Sequence, residues 1–178
     1  MFRRRMLAVA TALAALASGL VVGLGASPAQ ADDFYWREFV GQHSGKCMDV
    51  ATQNNVTVQL WDCHDNSEQN WRLQFAGNSL GVDFYYVINR RSPNGCLGIA
   101  GDSFNASIPA QLQACFTGFT QWWYFRPHTV GNTIYNEFVN LETGLCLDAR
   151  GNNTGNGTLL QQYPCNQTSA QYWRDVKA

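Results

Sequence analysis

Charge is scarce in this 178-residue sequence: Asp, Glu, Lys and Arg together make up 14 %. Met1 to Ala31 holds three cations, Arg3, Arg4 and Arg5, and no acid. In the remainder nine cations face thirteen acids, a net charge of −4. Arg90 and Arg91 are the only adjacent cations left there. Phosphate recognition needs a clustered basic surface, which argues against nucleic acid and anionic lipid as partners. Histidine is limited to His43, His64 and His128, and the chain has no HExxH, no GxSxG and no glycine-rich phosphate loop. The acid-rich stretch Asp62, Asp65, Glu68 lacks the spacing of a calcium loop. No metal and no cofactor are expected. After Ala31 no segment repeats its apolar residues with a helical period, which argues against a helical domain. What the chain does have is 16 glycines, 13 % aromatics and many Asn and Gln, a composition that suits a β-rich, turn-rich exported protein.

Met1 to Ala31 has three parts: a basic start, an apolar stretch from Leu7 to Leu24, and Ala29-Gln30-Ala31 before Asp32. That is the pattern of a secretory signal peptide, expected to be cut after Ala31. Its arginine-rich start and alanine-rich centre suggest a bacterial source, so the sequons at Asn55, Asn105, Asn152, Asn156 and Asn166 are taken as products of composition. The mature chain is expected outside the cell, with no membrane contact. All six cysteines lie after the cut, and export delivers them to an oxidising compartment. Six cysteines allow 15 pairings.

Three landmarks share one period. Cys47, Cys96 and Cys146 recur at nearly equal intervals, and Cys63, Cys115 and Cys165, like Trp71, Trp123 and Trp173, keep the same step. Each tryptophan follows the second cysteine of its copy by eight positions and has Gln two places before it, at Gln69, Gln121 and Gln171. Self-similarity of this kind marks supersecondary units whose apolar faces are buried only against one another. Short apolar runs such as Val56–Trp61, Tyr85–Asn89 and Glu137–Leu141 sit between Gly, Asn and Pro clusters and read as strands. About four strands fit in each unit. Closing three units around a pseudo-threefold axis buries edges that a linear array would expose, so the expected fold is all-β, a barrel with a hairpin cap.

The Cys-x-Asp opening, the Gln-Leu-Trp-x-Cys segment and the threefold QxW triplet resemble the ricin-type β-trefoil lectins, particularly the bacterial family 13 carbohydrate-binding modules. The resemblance runs from about Phe34 to Trp173. It implies a β-trefoil over residues 32–178, after the leader at 1–31, with repeats at about 34–82, 83–133 and 134–178. It also implies cystines within the repeats, Cys47–Cys63, Cys96–Cys115 and Cys146–Cys165, and one shallow sugar site per repeat.

A pyranose offers a weakly apolar C–H face and an edge of vicinal hydroxyls. A site for it therefore needs a flat aromatic, and a carboxylate whose two oxygens accept from two neighbouring hydroxyls. The first repeat has Asp49, Gln59, Trp61, His64 and Gln69. It departs from the family pattern in carrying Glu68 where Asn is usual. The third repeat has Asp148, Gln161, Tyr163, Asn166 and Gln171, with Ala170 at that same position. The second has Gly98 in place of the acid and Gln113 in place of the aromatic, and is expected to be purely structural, although Phe116, Phe119 and Trp122 beside it could cover apolar surface. The chain is thus expected to be a monomeric, non-enzymatic binder of polysaccharide or glycan. Two alternatives stand beside it: a β-trefoil protease inhibitor, and an accessory module working with a separate glycoside hydrolase.

Overall fold

The computed structural model describes residues 33–177. The leader expected at 1–31 lies outside them. Twelve strands are formed: β1 (Asp33–Gly41), β2 (Cys47–Val50), β3 (Val58–Trp61), β4 (Trp71–Ser79), β5 (Val82–Asn89), β6 (Gly95–Ile99), β7 (Ala110–Ala114), β8 (Trp123–Val130), β9 (Thr133–Asn140), β10 (Cys146–Ala149), β11 (Leu160–Tyr163) and β12 (Trp173–Lys177). Turns and loops join them, and the helical elements among the described residues are four short 3-10 turns, Ala100–Asp102, Phe119–Gln121, Arg150–Asn152 and Ser169–Gln171. Each unit contributes four strands.

Pairing closes a ring of six. β1 pairs with β4 and β12, β5 with β4 and β8, and β9 with β8 and β12, every pair antiparallel. A closed ring leaves no free barrel edge for another chain to pair with. The other six strands form three hairpins, β2–β3, β6–β7 and β10–β11. These hairpins meet through one bond used three times, with donor and acceptor each stepping from one repeat to the next. The N–H of Leu60 donates to Thr158 O at 2.8 Å, that of Leu112 to Val56 O at 2.7 Å and that of Gln162 to Ile108 O at 3.0 Å. The fold is a β-trefoil.

The interior follows the same symmetry. Trp71, Trp123 and Trp173 are buried, and each indole N–H donates to a backbone carbonyl of its own repeat: Met48 at 3.0 Å, Leu97 at 2.9 Å and Leu147 at 3.3 Å. A buried indole left without such an acceptor would cost about 1–3 kcal/mol, so repeated tryptophan and repeated strand carbonyl belong together. Met48, Leu97 and Leu147 fill equivalent layers, as do Val50, Ile99 and Ala149. Phe39 and Phe138 meet edge to face at 4.7 Å across the barrel. Cystines link Cys47–Cys63, Cys96–Cys115 and Cys146–Cys165. They close loops of 16, 19 and 19 residues, each stabilising by about 3 kcal/mol in the chain-entropy picture.

The backbone favours glycine at the entry to the first and third hairpins. Gly45 and Gly144 have φ of +65° and +67°, and their amides close the turns onto Gly41 O and Asn140 O. Another residue there would be strained in the left-handed region.

Candidate functional site

Hairpin register decides which side chains share a face. In β2–β3, Cys47 lies opposite Trp61 and Asp49 opposite Gln59. In β10–β11, Cys146 lies opposite Tyr163 and Asp148 opposite Gln161. Residues two apart on a strand, and residues directly opposite, point the same way. The acid and the aromatic of each hairpin therefore project from one face, beside the cystine.

In the first repeat this face opens on a pocket of about 220 Å³ lined by Asp49, Thr52, Gln53, Gln59, Trp61, His64 and Glu68. Asp49 sits at its floor, 3 % exposed. Gln59 Nε2 donates to Asp49 Oδ1 at 2.9 Å and Gln69 Nε2 to Asp49 Oδ2 at 3.1 Å. The third repeat has the same arrangement: Gln161 Nε2 donates to Asp148 Oδ1 at 2.9 Å and Gln171 Nε2 to Asp148 Oδ2 at 3.2 Å. Its pocket is larger, about 510 Å³. It is lined by Asp148, Gln161, Tyr163 and Asn166 together with Ser107, Arg150, Gly151, Asn152, Thr168 and Ala170. Tyr163 is 38 % exposed.

A carboxylate oxygen accepts more than one hydrogen bond. Each aspartate uses one acceptance per oxygen on its glutamines, which fixes the plane of the carboxylate and leaves the outward lone pairs for a ligand. Burial pushes both carboxyls above the ordinary aspartate range; the amide bonds pull the other way without cancelling it. For Asp49, His64 adds a lowering influence and Glu68 a raising one. His64 Nε2 stands 3.9 Å from Asp49 Oδ2.

Gln69 and Gln171, named from the sequence as members of the sugar sites, are fully buried beneath them. Each has a second task. Gln69 accepts from the His64 N–H and donates to Asp62 O, while Gln171 accepts from the Asn166 N–H and donates to Pro164 O. One buried amide thus holds both the carboxylate and the loop that follows the second cysteine, and it meets the pocket through the aspartate. Gln59, Trp61 and His64, and likewise Gln161, Tyr163 and Asn166, do line their pockets.

The second repeat keeps the frame and fills the space. Gln121 makes the same two loop bonds, accepting from Phe116 N–H and donating to Ala114 O. Its remaining N–H goes to Gln113 Oε1 at 3.3 Å. Gln113 stands opposite Cys96, the position of Trp61 and Tyr163, and folds over Gly98, donating to Ile99 O. A Cβ on Gly98 would lie 2.2 Å from Gln113 Oε1. An acid at residue 98 is therefore sterically excluded while Gln113 keeps this position.

The acid-rich stretch does not converge. Asp62 is bonded by Lys46 Nζ and by Asn156 Nδ2, and these bonds hold its carboxyl below the ordinary range. Asp65 accepts from Asn70 Nδ2, and of these three acids Glu68 alone lines the pocket.

Sequence reasoning misses several pocket residues. Ser107 reaches the third pocket from the second repeat, an inter-repeat contact that no pattern within one repeat could reveal. Its N–H donates to Gln162 O, and Gln162 Nε2 anchors the same loop through Ser103 O and Asn105 O. Arg150 was legible in principle: it follows Asp148 by two, where the other copies have Ala51 and Ala100.

The ricin-type beta-trefoil lectin domain model matches residues 35–136, more than half of the chain, and a related ricin-type beta-trefoil lectin domain-like model matches residues 119–178. The chain belongs to the ricin-type β-trefoil lectin family. Among solved structures, the designed threefold-symmetric protein ThreeFoil is similar at 25 % identity and a TM-score of 0.69, covering 80 % of this chain and 99 % of the other. A ricin B-like lectin from Macrolepiota procera, in complex with lactose, matches at 17 % identity and TM-score 0.70 over 84 % of this chain and 99 % of that one. An exo-beta-1,3-galactanase from Clostridium thermocellum matches at 22 % and 0.72, over 82 % of this chain but 31 % of the enzyme. In that enzyme the trefoil is one part of a longer chain.

Proposed function

We propose that this trefoil is a secreted, monomeric carbohydrate-binding protein that holds glycan or polysaccharide at two shallow sites, in repeats 1 and 3, and catalyses no reaction. The observation that supports it best is the joint presence of a glutamine-clamped carboxylate and an aromatic in one pocket in repeats 1 and 3, with both missing from repeat 2. A carboxylate held flat by two amides suits a pair of vicinal hydroxyls, and Trp61 or Tyr163 supplies the surface for the C–H face. Three cystines suit an oxidising, extracellular setting. A single sugar buries little area and gives up hydrogen bonds to water, so each site alone is weak. Two sites on one rigid body gain from effective concentration on a polymer.

The test is binding to an immobilised polysaccharide panel by the wild type and by Asp49→Ala plus Asp148→Ala. The wild type should be retained on at least one polymer, and the double variant should pass through while keeping its near-ultraviolet circular dichroism. Full retention of a folded double variant would refute the assignment.

A further inference from the structure

The two pockets differ most in charge. Arg150 lines the third-repeat pocket beside Asp148, so the fixed charges there balance. The first-repeat pocket holds Asp49 and Glu68 with no arginine or lysine among its lining residues; Arg91 approaches Glu68 from outside it, with Nη1 at 3.8 Å from Oε2. Neither difference belongs to the repeat frame, since Arg150 replaces Ala51 and Ala100, and Glu68 stands in register with Thr120 and Ala170.

Arg150 is held rather than loose. Its Nε donates to Gln161 Oε1 at 2.9 Å and its Nη2 to Ser107 O at 2.8 Å, while Nη1 has no partner among the described residues. The guanidinium is therefore fixed on one edge and open on the other at the pocket wall. It also takes up the side-chain carbonyl of Gln161, whose counterpart on Gln59 bonds no protein donor among the described residues. The third pocket thus gains a fixed cationic donor and loses a neutral acceptor. Both changes favour a ligand that brings its own anionic acceptor. A planar carboxylate is the natural mate of a guanidinium.

We propose that the repeat 3 site selects a uronic acid residue, with Arg150 reading the sugar carboxylate while Asp148 holds the hydroxyl edge, and that Glu68 turns the same sugar away from repeat 1. This assignment rests on the reading of the two pockets as sugar sites. It makes the protein a binder of acidic polysaccharide through one face and of neutral sugar through the other.

The experiment is a site-resolved titration by amide NMR of the mature chain. The probes are methyl glycosides of gluco, galacto and manno configuration, each paired with its uronate. Gly151 and Asn152 amides report repeat 3, and Thr52 and Gln53 report repeat 1. For at least one configuration the uronate should bind repeat 3 about tenfold more tightly than its neutral partner, the scale of one charge-assisted hydrogen bond at a half-open site. Repeat 1 should prefer the neutral partner. In Arg150→Gln the repeat 3 ratio should fall to about one, Arg150→Lys should keep it above one by retaining the charge, and Glu68→Gln should strengthen uronate binding at repeat 1. Neutral sugar bound at repeat 3 with no uronate preference, or a preference that survives Arg150→Gln, overturns the assignment and leaves the sugar sites standing. Silence of both pockets toward every glycoside, neutral and acidic, removes the sugar sites and the assignment together.

Discussion

Gln171 offers a measurement in which the protein supplies its own control. Gln171→Ala removes three hydrogen bonds from a fully buried amide: two to loop backbone, at 2.9 and 3.0 Å, and one to Asp148 at 3.2 Å. Gln121→Ala removes the same two loop bonds, at 2.9 and 2.8 Å, but its third, at 3.3 Å, goes to the neutral Gln113. The cavity left behind and the orphaned backbone groups are common to both, so their costs cancel in the comparison. A hydrogen bond to a charged group contributes about 1.5–3 kcal/mol and a neutral one about 0.5–1.5 kcal/mol. Gln171→Ala should therefore cost about 1–1.5 kcal/mol more than Gln121→Ala near pH 7, read from urea unfolding with the cystines intact. The gap has a predicted pH dependence. Losing Gln171 raises the folded-state pKa of Asp148 further above its unfolded value, and such a raised carboxyl subtracts stability as pH climbs through it. Below the unfolded value both proteins are protonated, so at about pH 3 the difference should close. Equal losses near neutrality, or a gap unchanged in acid, would show that the amide–carboxylate bond contributes no more than a neutral one.

Sugar retention should itself fall in acid. Burial holds both aspartates above their ordinary value of 3.8, so the loss of binding on acidification should set in at a higher pH than an ordinary aspartate would give; retention unchanged at about pH 3 would exclude the carboxylates as acceptors. Trp61→Ala should weaken repeat 1 binding at least about tenfold while changing stability by less than about 1 kcal/mol, whereas Trp123→Ala, in the core, should cost about 3–5 kcal/mol. Calorimetric titration and denaturant melts separate the two. Gly98→Asp alone should destabilise by about 1–3 kcal/mol through overlap with Gln113 Oε1, and adding Gln113→Tyr should recover at least half of that; additive losses in the double variant would contradict the steric account.

Much of the site was legible because the chain repeats itself. Laying three copies over one another isolates Asp49, Asp148 and Gly98 at one position and Trp61, Tyr163 and Gln113 at another. Strand alternation then places acid and aromatic on the same face. The buried role of Gln69 and Gln171 was less legible, because residue type does not distinguish an amide that touches a ligand from one that holds the acid touching it. Arg150 was visible as a departure from two alanines but carried no weight without its partners.

The periodic spacing of cysteine, QxW glutamine and tryptophan carries the threefold plan, because each copy must bury the same indole and answer it with the same carbonyl. Composition set the low charge, and alternation set which hairpin positions share a face. Folding alone decided how large each pocket is and who completes it. Ser107 arrives from the neighbouring repeat, Gln162 ties down the loop that brings it, and Gln113 turns inward to occupy the space over Gly98. These are contacts between segments of different repeats, or rotamer choices made under packing, and neither is encoded in the local order of residues.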